Sequence, residues 1–294
     1  MANMQKTIQV ASRTSQLALI MTNQVIDHLR HNNPDIHFNI QGIKTSNTNI
    51  HNDPLGIKGV FTNALDAAVR SGEALFAVHS TKDLPSSLSD DMMVAAFLTR
   101  GNPKDALISK HKKKLIDLPL NGVIGTSSPR REMLIKHIRP DLSIEPLRGN
   151  IDSRLRKSAD YDAIILAASG LERFGATAHI TETLDPTVFI PAAGQGVIAV
   201  TCKKNDPETI ALLSHLDDPE TRTCVEIERM ICARLNLSCY APIGVYTYHK
   251  DNLLNTAIHL IRHGKPFIAS YQHAEPNTDE LIENIVTTVL KDTA

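Results

Sequence analysis

The chain passes directly from a strand-like run into the start of a helix at Val123-Ile124-Gly125-Thr126-Ser127-Ser128-Pro129-Arg130-Arg131. Ser128 suits the N-cap and Pro129 the first helical position, so both arginines lie in the first turn of the predicted helix. The free N–H groups of a helix start already carry partial positive charge, and two guanidinium groups are therefore locally unfavourable there. Hydroxyls, N–H groups and arginines on one turn indicate an anion-binding site. The alternative is a solvated helix start with two surface arginines.

Outward from this turn, short apolar runs alternate with longer amphipathic ones as far as residue 200, which predicts α/β units with mostly parallel sheets. The predicted strands are Thr7–Ala11, His37–Ile43, Leu75–His79, Met93–Phe97, Ala106–Ile108, Val123–Gly125, Leu142–Leu147, Ala163–Ala167 and Val197–Cys202. The predicted helices are Ser15–His31, Gly59–Ser71, Pro129–Arg139, Ile151–Ala159 and Pro207–Leu216.

The pattern changes after Pro219. A long helix over Glu220–Leu235 precedes three strand-like runs and a last helix, which predicts a small α+β domain. The runs are Gly244–Tyr248, Leu253–Leu260 and Phe267–His273, and the last helix is Thr278–Leu290.

Composition excludes several functional classes. The 294 residues suggest two or three domains, and 42% hydrophobic but only 4% aromatic residues, with no Trp, predict aliphatic cores. A net charge of −1 gives no overall field for nucleic acid or a membrane surface. The four cysteines form no C-x-x-C pair, and neither a signal peptide nor a membrane span stands out. We expect a soluble, cytoplasmic protein.

Two more strand-to-helix turns carry arginine among small polar residues. Ala11-Ser12-Arg13-Thr14-Ser15 follows the first predicted strand, and Leu147-Arg148-Gly149-Asn150 opens a helix that contains Arg154. Ligands of α/β sheets collect at the carboxyl ends of strands, so the three turns together predict a site for one ligand with several anionic groups. Arg173 adds to this set, and surface salt bridges are the alternative for each turn taken alone.

An aspartate follows another predicted strand, in His79-Ser80-Thr81-Lys82-Asp83-Leu84-Pro85. An ionised carboxylate among arginines is suited to stabilise a developing cation or to move protons. An aspartate before a proline also commonly caps a turn, and that interpretation stays open.

Of the four cysteines, Cys239 is the best candidate nucleophile, because it follows the long helix in a loop-like stretch that ends at Pro242-Ile243-Gly244. Cys202 falls in a buried strand pattern, and Cys224 and Cys232 lie on a helix and are expected in the core. A purely structural thiol remains the alternative for Cys239.

Two further patterns, a glycine-rich fingerprint and a pair of histidines, do not predict a functional site. Gly194-Gln195-Gly196-Val197-Ile198-Ala199 matches a dinucleotide fingerprint, but a strand-like run follows it where a helix is required. His28 and His31 lack a third ligand at a persuasive spacing, so no metal site is expected.

Taken in order, seven motifs resemble the porphobilinogen deaminase family. They are Ala11-Ser12-Arg13-x-Ser15-x-Leu17-Ala18, Lys58-Gly59-Val60-Phe61, His79-Ser80-x-Lys82-Asp83-x-Pro85, Gly125-Thr126-Ser127-Ser128-x-Arg130-Arg131, Leu147-Arg148-Gly149-Asn150, Pro191-Ala192-x-Gly194-Gln195-Gly196 and Cys239-x-x-Pro242-Ile243-Gly244. The resemblance spans about residues 5–248. Two places depart from the family pattern, at Thr45-Ser46-Asn47-Thr48 and at Leu237-Ser238 before the cysteine.

The resemblance implies a transferase that joins porphobilinogen units head to tail, with loss of ammonia, and then releases hydroxymethylbilane by hydrolysis. It implies that Cys239 holds a dipyrromethane cofactor through a thioether and that Asp83 handles protons and stabilises the cation formed when ammonia leaves. Further cofactor contacts are implied for Ser80, Lys82, Thr126, Ser127, Ser128, Arg130, Arg131, Arg148 and Gly149. Substrate contacts are implied for Arg13, Ser15, Lys58, Arg154, Arg173 and Gln195.

The resemblance also implies the fold and the partners. Two domains similar to type II periplasmic binding proteins are expected over residues 1–99 with 197–216 and over 103–193, with a cleft between them. A third domain over 219–294 carries the cysteine. A monomer acting on a small molecule, without nucleic acid or membrane, is expected. The competing hypothesis is a non-catalytic binding protein for a multi-carboxylate ligand, which explains the arginines but not Cys239.

Overall fold

A computed structural model describes residues 6–43, 62–237, 241–274 and 277–293. Contacts divide the chain into two compact units. One comprises residues 1–100 with 197–222, and the other comprises 101–196 with 223–294. Both units are therefore discontinuous in sequence. In the described part of the chain, no helix is long and apolar enough to cross a membrane.

The elements alternate through most of the chain. The strands are β1 (Lys6–Arg13), β2 (Ile36–Ile43), β3 (Phe76–Ser80), β4 (Met92–Phe97), β5 (Asp105–Ser109), β6 (Val123–Gly125), β7 (Ser143–Glu145), β8 (Ala163–Ala167), β9 (Glu182–Thr183), β10 (Ile198–Lys203), β11 (Ile243–Lys250), β12 (Leu253–Arg262) and β13 (Lys265–His273). The helices are α1 (Gln16–Asn32), α2 (Asn63–Ser71), α3 (Pro129–Ile138), α4 (Ile151–Arg156), α5 (Ala168–Phe174), α6 (Pro207–Ser214), α7 (Pro219–Arg234) and α8 (Thr278–Asp292).

The first unit is built on a five-stranded sheet of order β2-β1-β3-β10-β4. β1 is parallel to both β2 and β3, whereas β10 is antiparallel to β3 and to β4. Because β1 and β3 are parallel neighbours, the turns that follow them leave the same edge of the sheet. Apolar side chains of α1 and of the sheet form an aliphatic core that includes Val10, Val25 and Val200.

The second unit contains a second five-stranded sheet, of order β7-β6-β8-β5-β9. β6 is parallel to β7 and β8, and β5 is antiparallel to β8 and β9. Both sheets thus place an antiparallel strand beside three parallel ones. Residues 243–273 form a separate antiparallel sheet of order β11-β12-β13, whose core includes side chains of α7 and α8.

The structure confirms the alternation of strands and helices, and after Pro219 it shows the expected change of pattern, with three antiparallel strands between two helices. The expectation of mostly parallel sheets holds for four of the five strands in each large sheet, but β10 and β5 run antiparallel to both of their neighbours, so each sheet is mixed. Hydrophobic periodicity reports which residues are buried but not the direction in which a strand runs. Sequence reasoning also missed α5, where Ala168 and Leu171 are buried against the β5–β8 layer despite Gly170.

Candidate active site

In the first unit, the turn after β1 presents an arginine on a constrained backbone. Ser15 is the N-cap of α1, and its hydroxyl accepts a hydrogen bond from the Ala18 N–H at 3.4 Å. Buried Ser12 donates to the Arg13 carbonyl at 3.0 Å and accepts from the Thr22 hydroxyl at 2.7 Å. These contacts fix the backbone around Arg13 at the carboxyl end of its strand.

The turn after β3 brings an aspartate to that arginine. Ser80 ends the strand, and Thr81–Asp83 form one turn of 3-10 helix, which the Leu84 N–H closes on the Thr81 carbonyl at 3.1 Å. Arg13 Nη1 lies 3.9 Å from Asp83 Oδ2, and the Asp83 side chain is 40% exposed. Residues far apart in sequence therefore meet at one sheet edge, with Lys82 beside them and half-buried.

In the second unit, the turn between β6 and α3 carries three hydroxyls. Ser128 is the N-cap of α3, as predicted, and accepts from the Arg131 N–H at 3.4 Å. The Thr126 hydroxyl accepts from the Ser128 N–H at 3.2 Å, and the Ser127 hydroxyl donates to the Leu147 carbonyl at 3.1 Å. The Ser127 bond ties this turn to the end of the segment that leads to Arg148.

Arg130 and Arg131 are almost completely buried, and an internal carboxylate pairs with both. Arg130 Nη2 lies 2.7 Å from Asp105 Oδ2, and Arg131 Nη2 lies 2.7 Å from Asp105 Oδ1. In addition, Arg130 Nη1 donates to the Ile190 carbonyl at 2.8 Å, and Arg131 Nη1 donates to the Ile165 carbonyl at 2.9 Å. Neither arginine is a solvated surface residue, so that alternative is wrong.

The charges of this buried cluster do not cancel, because two guanidinium groups share the single Asp105 carboxylate. Burial lowers the pKa of Arg130, while the nearby Asp105 charge opposes that change. Positive charge of this kind lies next to the hydroxyls of the α3 N-terminus, a combination that is typical of anion-binding sites. The donor set therefore fits a carboxylate-bearing group.

The turn that opens α4 depends on a glycine. Gly149 has φ of +119°, and a Cβ at this position would lie 2.8 Å from the Ser153 hydroxyl oxygen, so a side chain is disfavoured here. Arg154 Nε donates to the Gly149 carbonyl at 2.7 Å. Arg148 is exposed on the same turn. The structure thus places Arg148, Gly149 and Arg154 in one local group.

Arg173 and Gln195 each donate a side-chain hydrogen bond to a backbone carbonyl, near the residues at which the chain leaves one unit and enters the other. Arg173 Nη2 donates to the Gly196 carbonyl at 2.7 Å, and burial lowers the pKa of this arginine. Gln195 is 1% exposed, and its Nε2 donates to the Pro103 carbonyl at 2.7 Å. The dinucleotide pattern around Gln195 forms a turn and leads into β10, not into a helix, so its rejection is confirmed.

Lys58, Cys239 and the departures at residues 45–48 and Ser238 lie outside the described residues. Of the other cysteines, Cys202 and Cys224 are buried as predicted, whereas Cys232, also expected in the core, is half-buried and packs against it. Burial raises the pKa of the Cys202 thiol to about 11 and that of Cys232 to about 12. Both thiols therefore stay protonated near neutral pH and are poor nucleophiles.

Sequence reasoning missed two carboxylates that organise the second unit. Asp105 begins the fully buried strand Asp-Ala-Leu-Ile-Ser, next to three apolar residues, and that unusual position was the available signal. Glu228 is 0% exposed on α7 and accepts backbone hydrogen bonds from Gly194 and Thr247. Its helical pattern does not distinguish it from a solvent-facing glutamate.

Solved structures resemble the chain loosely. The VFT2 domain of Bordetella pertussis BvgS is 15% identical with a TM-score of 0.42, over 71% of this chain and 85% of that one. A TRAP periplasmic solute binding protein from Desulfovibrio salexigens is 8% identical, also with a TM-score of 0.42, over 72% of each chain. The expected fold class, mixed α/β with type II periplasmic-binding-protein-like domains, is confirmed by the two mixed sheets together with the family match described next.

Sequence relatives are much closer. The family model described as "Porphobilinogen deaminase, dipyromethane cofactor binding domain" matches residues 8–211. A probable porphobilinogen deaminase of Methanopyrus kandleri is 41% identical over 84% of this chain and 85% of its own length. Porphobilinogen deaminase of Desulforamulus reducens is 40% identical over 93% of this chain and 91% of its own length. The chain therefore belongs to the porphobilinogen deaminase family of transferases, whose cofactor is dipyrromethane.

Proposed function

We propose that this family transferase joins porphobilinogen units with loss of ammonia through two sets of residues, one in each unit, and that Asp83 is the carboxylate at which protons move. The observation that carries the assignment of Asp83 is its position 3.9 Å from Arg13 at the carboxyl ends of two parallel strands. Ligands of α/β sheets bind at such ends. Asp83 is also half-exposed, so a substrate can reach it.

The role of Asp83 follows from its charge and its neighbours. An ionised carboxylate stabilises a cation that develops beside it when ammonia leaves, and it can accept a proton from a pyrrole nitrogen. Arg13 and Lys82 supply positive charge around it and are suited to hold substrate carboxylates. Ser15 and Ser80 add hydroxyls at the ends of the same strands.

The residues of the second unit are proposed to hold cofactor carboxylates. Arg130 and Arg131 contribute the excess buried charge, while Thr126, Ser127 and Ser128 contribute hydroxyls at the start of α3. Arg148 extends from the neighbouring turn, whose backbone conformation Gly149 permits. Hydrogen bonds from charged donors to carboxylates are about twice as strong as neutral ones, so this donor set suits a ligand rich in carboxylates.

We assign the covalent attachment of dipyrromethane to Cys239. When bound, that group supplies the primer pyrrole to which the substrate is joined. The assignment is supported by the other cysteines, because Cys202 and Cys224 are buried and the pKa of Cys202 and of Cys232 is raised far above neutrality. Arg154, Arg173, Gln195 and Lys58 are proposed to act on the substrate side, with Arg173 and Gln195 fixing backbone near residues 101–103 and 196.

The proposal includes a monomeric, cytoplasmic enzyme that acts on a small molecule without nucleic acid. A net charge of −1 supports the absence of a nucleic-acid partner. The three cysteines in the described part of the chain are free thiols, which supports a reducing compartment. Light scattering of the purified protein tests the monomer, and a dimeric mass would contradict it.

Incubation with porphobilinogen tests the reaction. We expect release of ammonia and appearance of a linear tetrapyrrole from protein produced in a haem-competent host. Tight binding of porphobilinogen without ammonia release would instead support the non-catalytic binding protein. Protein heated beyond its unfolding transition is the matched control for non-enzymatic condensation.

A further inference from the structure

Glu228 is a fully buried carboxylate that holds three segments of the second unit together. It is carried by α7, its Oε2 accepts from the Gly194 N–H at 2.6 Å, and its Oε1 accepts from the Thr247 N–H at 2.8 Å. The side chain is 0% exposed. Each carboxylate oxygen thus receives a backbone donor from a different part of the chain.

A buried carboxylate at this place is costly for stability alone. Ile227 and Ile231 on the same helix belong to the aliphatic core of the C-terminal block. Replacing a buried charged group with a well-packed apolar one is often neutral or stabilising. Retention of a charge here therefore indicates a requirement beyond packing, as is common where a sequence breaks a local rule near a functional site.

The segment that Glu228 binds is the turn that carries Gln195. The Gln195 N–H closes this turn on the Ala192 carbonyl at 2.9 Å, and Gly194 adopts φ of +71°. On its other side, the Gln195 side chain reaches the Pro103 carbonyl at 2.7 Å. The orientation of Gln195 therefore depends on where the Gly194 N–H is held.

The C-terminal strand approaches the same segment through backbone atoms. The Val245 N–H donates to the Pro191 carbonyl at 3.0 Å. A Cβ on Gly244 would lie 2.5 Å from the Ile190 carbonyl oxygen, so only glycine permits this approach. In sequence, Cys239 lies between Glu228 and Thr247, so the hydrogen bond to Thr247 links the helix before the cysteine to the strand after it.

We propose that Glu228 is a positioning residue of the reaction: acting through the Gly194–Gln195 turn, it fixes Gln195 relative to the two segments that flank Cys239. The role of Gln195 rests on the proposed function. The carboxylate acts through its hydrogen bonds with the backbone N–H groups of Gly194 and Thr247. Its charge is what matters, because an amide in its place would direct an NH2 group at one of the two N–H donors.

Hydrogen exchange of the holoenzyme tests the positioning directly. In Glu228→Gln we expect faster amide exchange in peptides covering residues 190–196 and 243–249. Ile231→Ala is the matched control, since Ile231 is 0% exposed in the core on the same helix, and its truncation lowers stability while leaving the Glu228 hydrogen bonds to Gly194 and Thr247 in place. In Ile231→Ala we expect faster exchange within α7 but not in residues 190–196. Unchanged exchange of residues 190–196 in Glu228→Gln, or an equal increase in both variants, would overturn the proposal.

Steady-state kinetics provides the second readout. Loss of one charge-assisted hydrogen bond at the turn should raise KM for porphobilinogen about tenfold in Glu228→Gln. Ile231→Ala should keep the wild-type KM.

Glu228→Asp retains the charge but cannot reach both donors, and it replaces Glu228→Gln if the latter does not fold. An unchanged KM for the Glu228 variant contradicts the proposal. If wild-type protein itself releases no ammonia, the proposed function fails, whereas the exchange experiment still decides the role of Glu228.

Discussion

Arg131 and Asp105 form a two-nitrogen contact inside the second unit, with Arg131 Nη2 at 2.7 Å and Nε at 3.1 Å from Asp105 Oδ1. Arg130 binds the other carboxylate oxygen at 2.7 Å. The carboxylate at the start of β5 thus accepts from both arginines of the α3 N-terminus. It offsets the unfavourable placement of positive charge at a helix start.

Asp105→Asn is expected to lower the free energy of unfolding by about 3 kcal/mol, because it leaves two buried guanidinium groups without a counter-charge. Urea titration followed by circular dichroism measures the change. Asp117→Asn, the same substitution at an exposed position, should stay within about 0.5 kcal/mol of wild type. A loss below 1 kcal/mol for Asp105→Asn would contradict the electrostatic role.

Asp83→Ala should lose nearly all turnover and keep its stability. The Asp83 side chain is 40% exposed and lies 3.9 Å from Arg13, and such pairs contribute at most about 1 kcal/mol. Ammonia release and urea unfolding are measured on the same preparation. Asp90→Ala, at an exposed aspartate nearby in sequence, should keep the wild-type rate. A near-normal rate for Asp83→Ala removes Asp83 from the chemistry.

Cys239→Ser should abolish the excess of one dipyrromethane over the sequence mass that we expect for wild-type protein. Intact-protein mass spectrometry reads this directly. Cys232→Ala should retain the excess mass, because burial raises the pKa of the Cys232 thiol to about 12 and removes it as a nucleophile. Fully active wild-type protein at the bare sequence mass would exclude covalent attachment.

The buried imidazole of His259 should make stability depend on pH. It lies 4.9 Å from the His137 ring, centroid to centroid, and burial together with His137 lowers its pKa from 6.5 to about 4. Between these values the unfolded chain binds a proton that the folded chain does not. The contribution of His259 to the free energy of unfolding is therefore lost as pH falls from 6.5 to 4, by about 3 kcal/mol.

Comparison of His259→Gln with wild type isolates this effect. The free energy of unfolding of His259→Gln, relative to that of wild type, should increase as the pH falls through the range between the two pKa values of His259. Ile258→Val, next to it on β12, removes a buried methyl group without changing any titration, so its difference from wild type should be the same at each pH. A pH-independent difference for His259→Gln would show that protonation of this ring does not oppose folding.

The sequence predicted the elements that local rules govern. The N-cap at Ser128, the proline at the first position of α3 and the N-cap at Ser15 are where capping preferences place them. Hydrophobic periodicity predicted most of the strands and the buried positions of Cys202 and Cys224. It could do so because the spacing of apolar residues shows which face of an element is buried. The family motifs, read in order, identified the family that the relatives then showed.

The tertiary structure decided what depends on residues far apart in the chain. Strand direction at β5 and β10 is set by topology, so the mixed sheets could not be read from periodicity. Arg130 and Arg131 were predicted to form part of an anion-binding site, and the fold shows that the Asp105 carboxylate binds both of them. Likewise, the burial of Glu228 between Gly194 and Thr247 has no local signature. Sequence alone determined which groups carry charge, and only folding determined which of those charges meet, because Coulomb and hydrogen-bond energies depend on distance and burial.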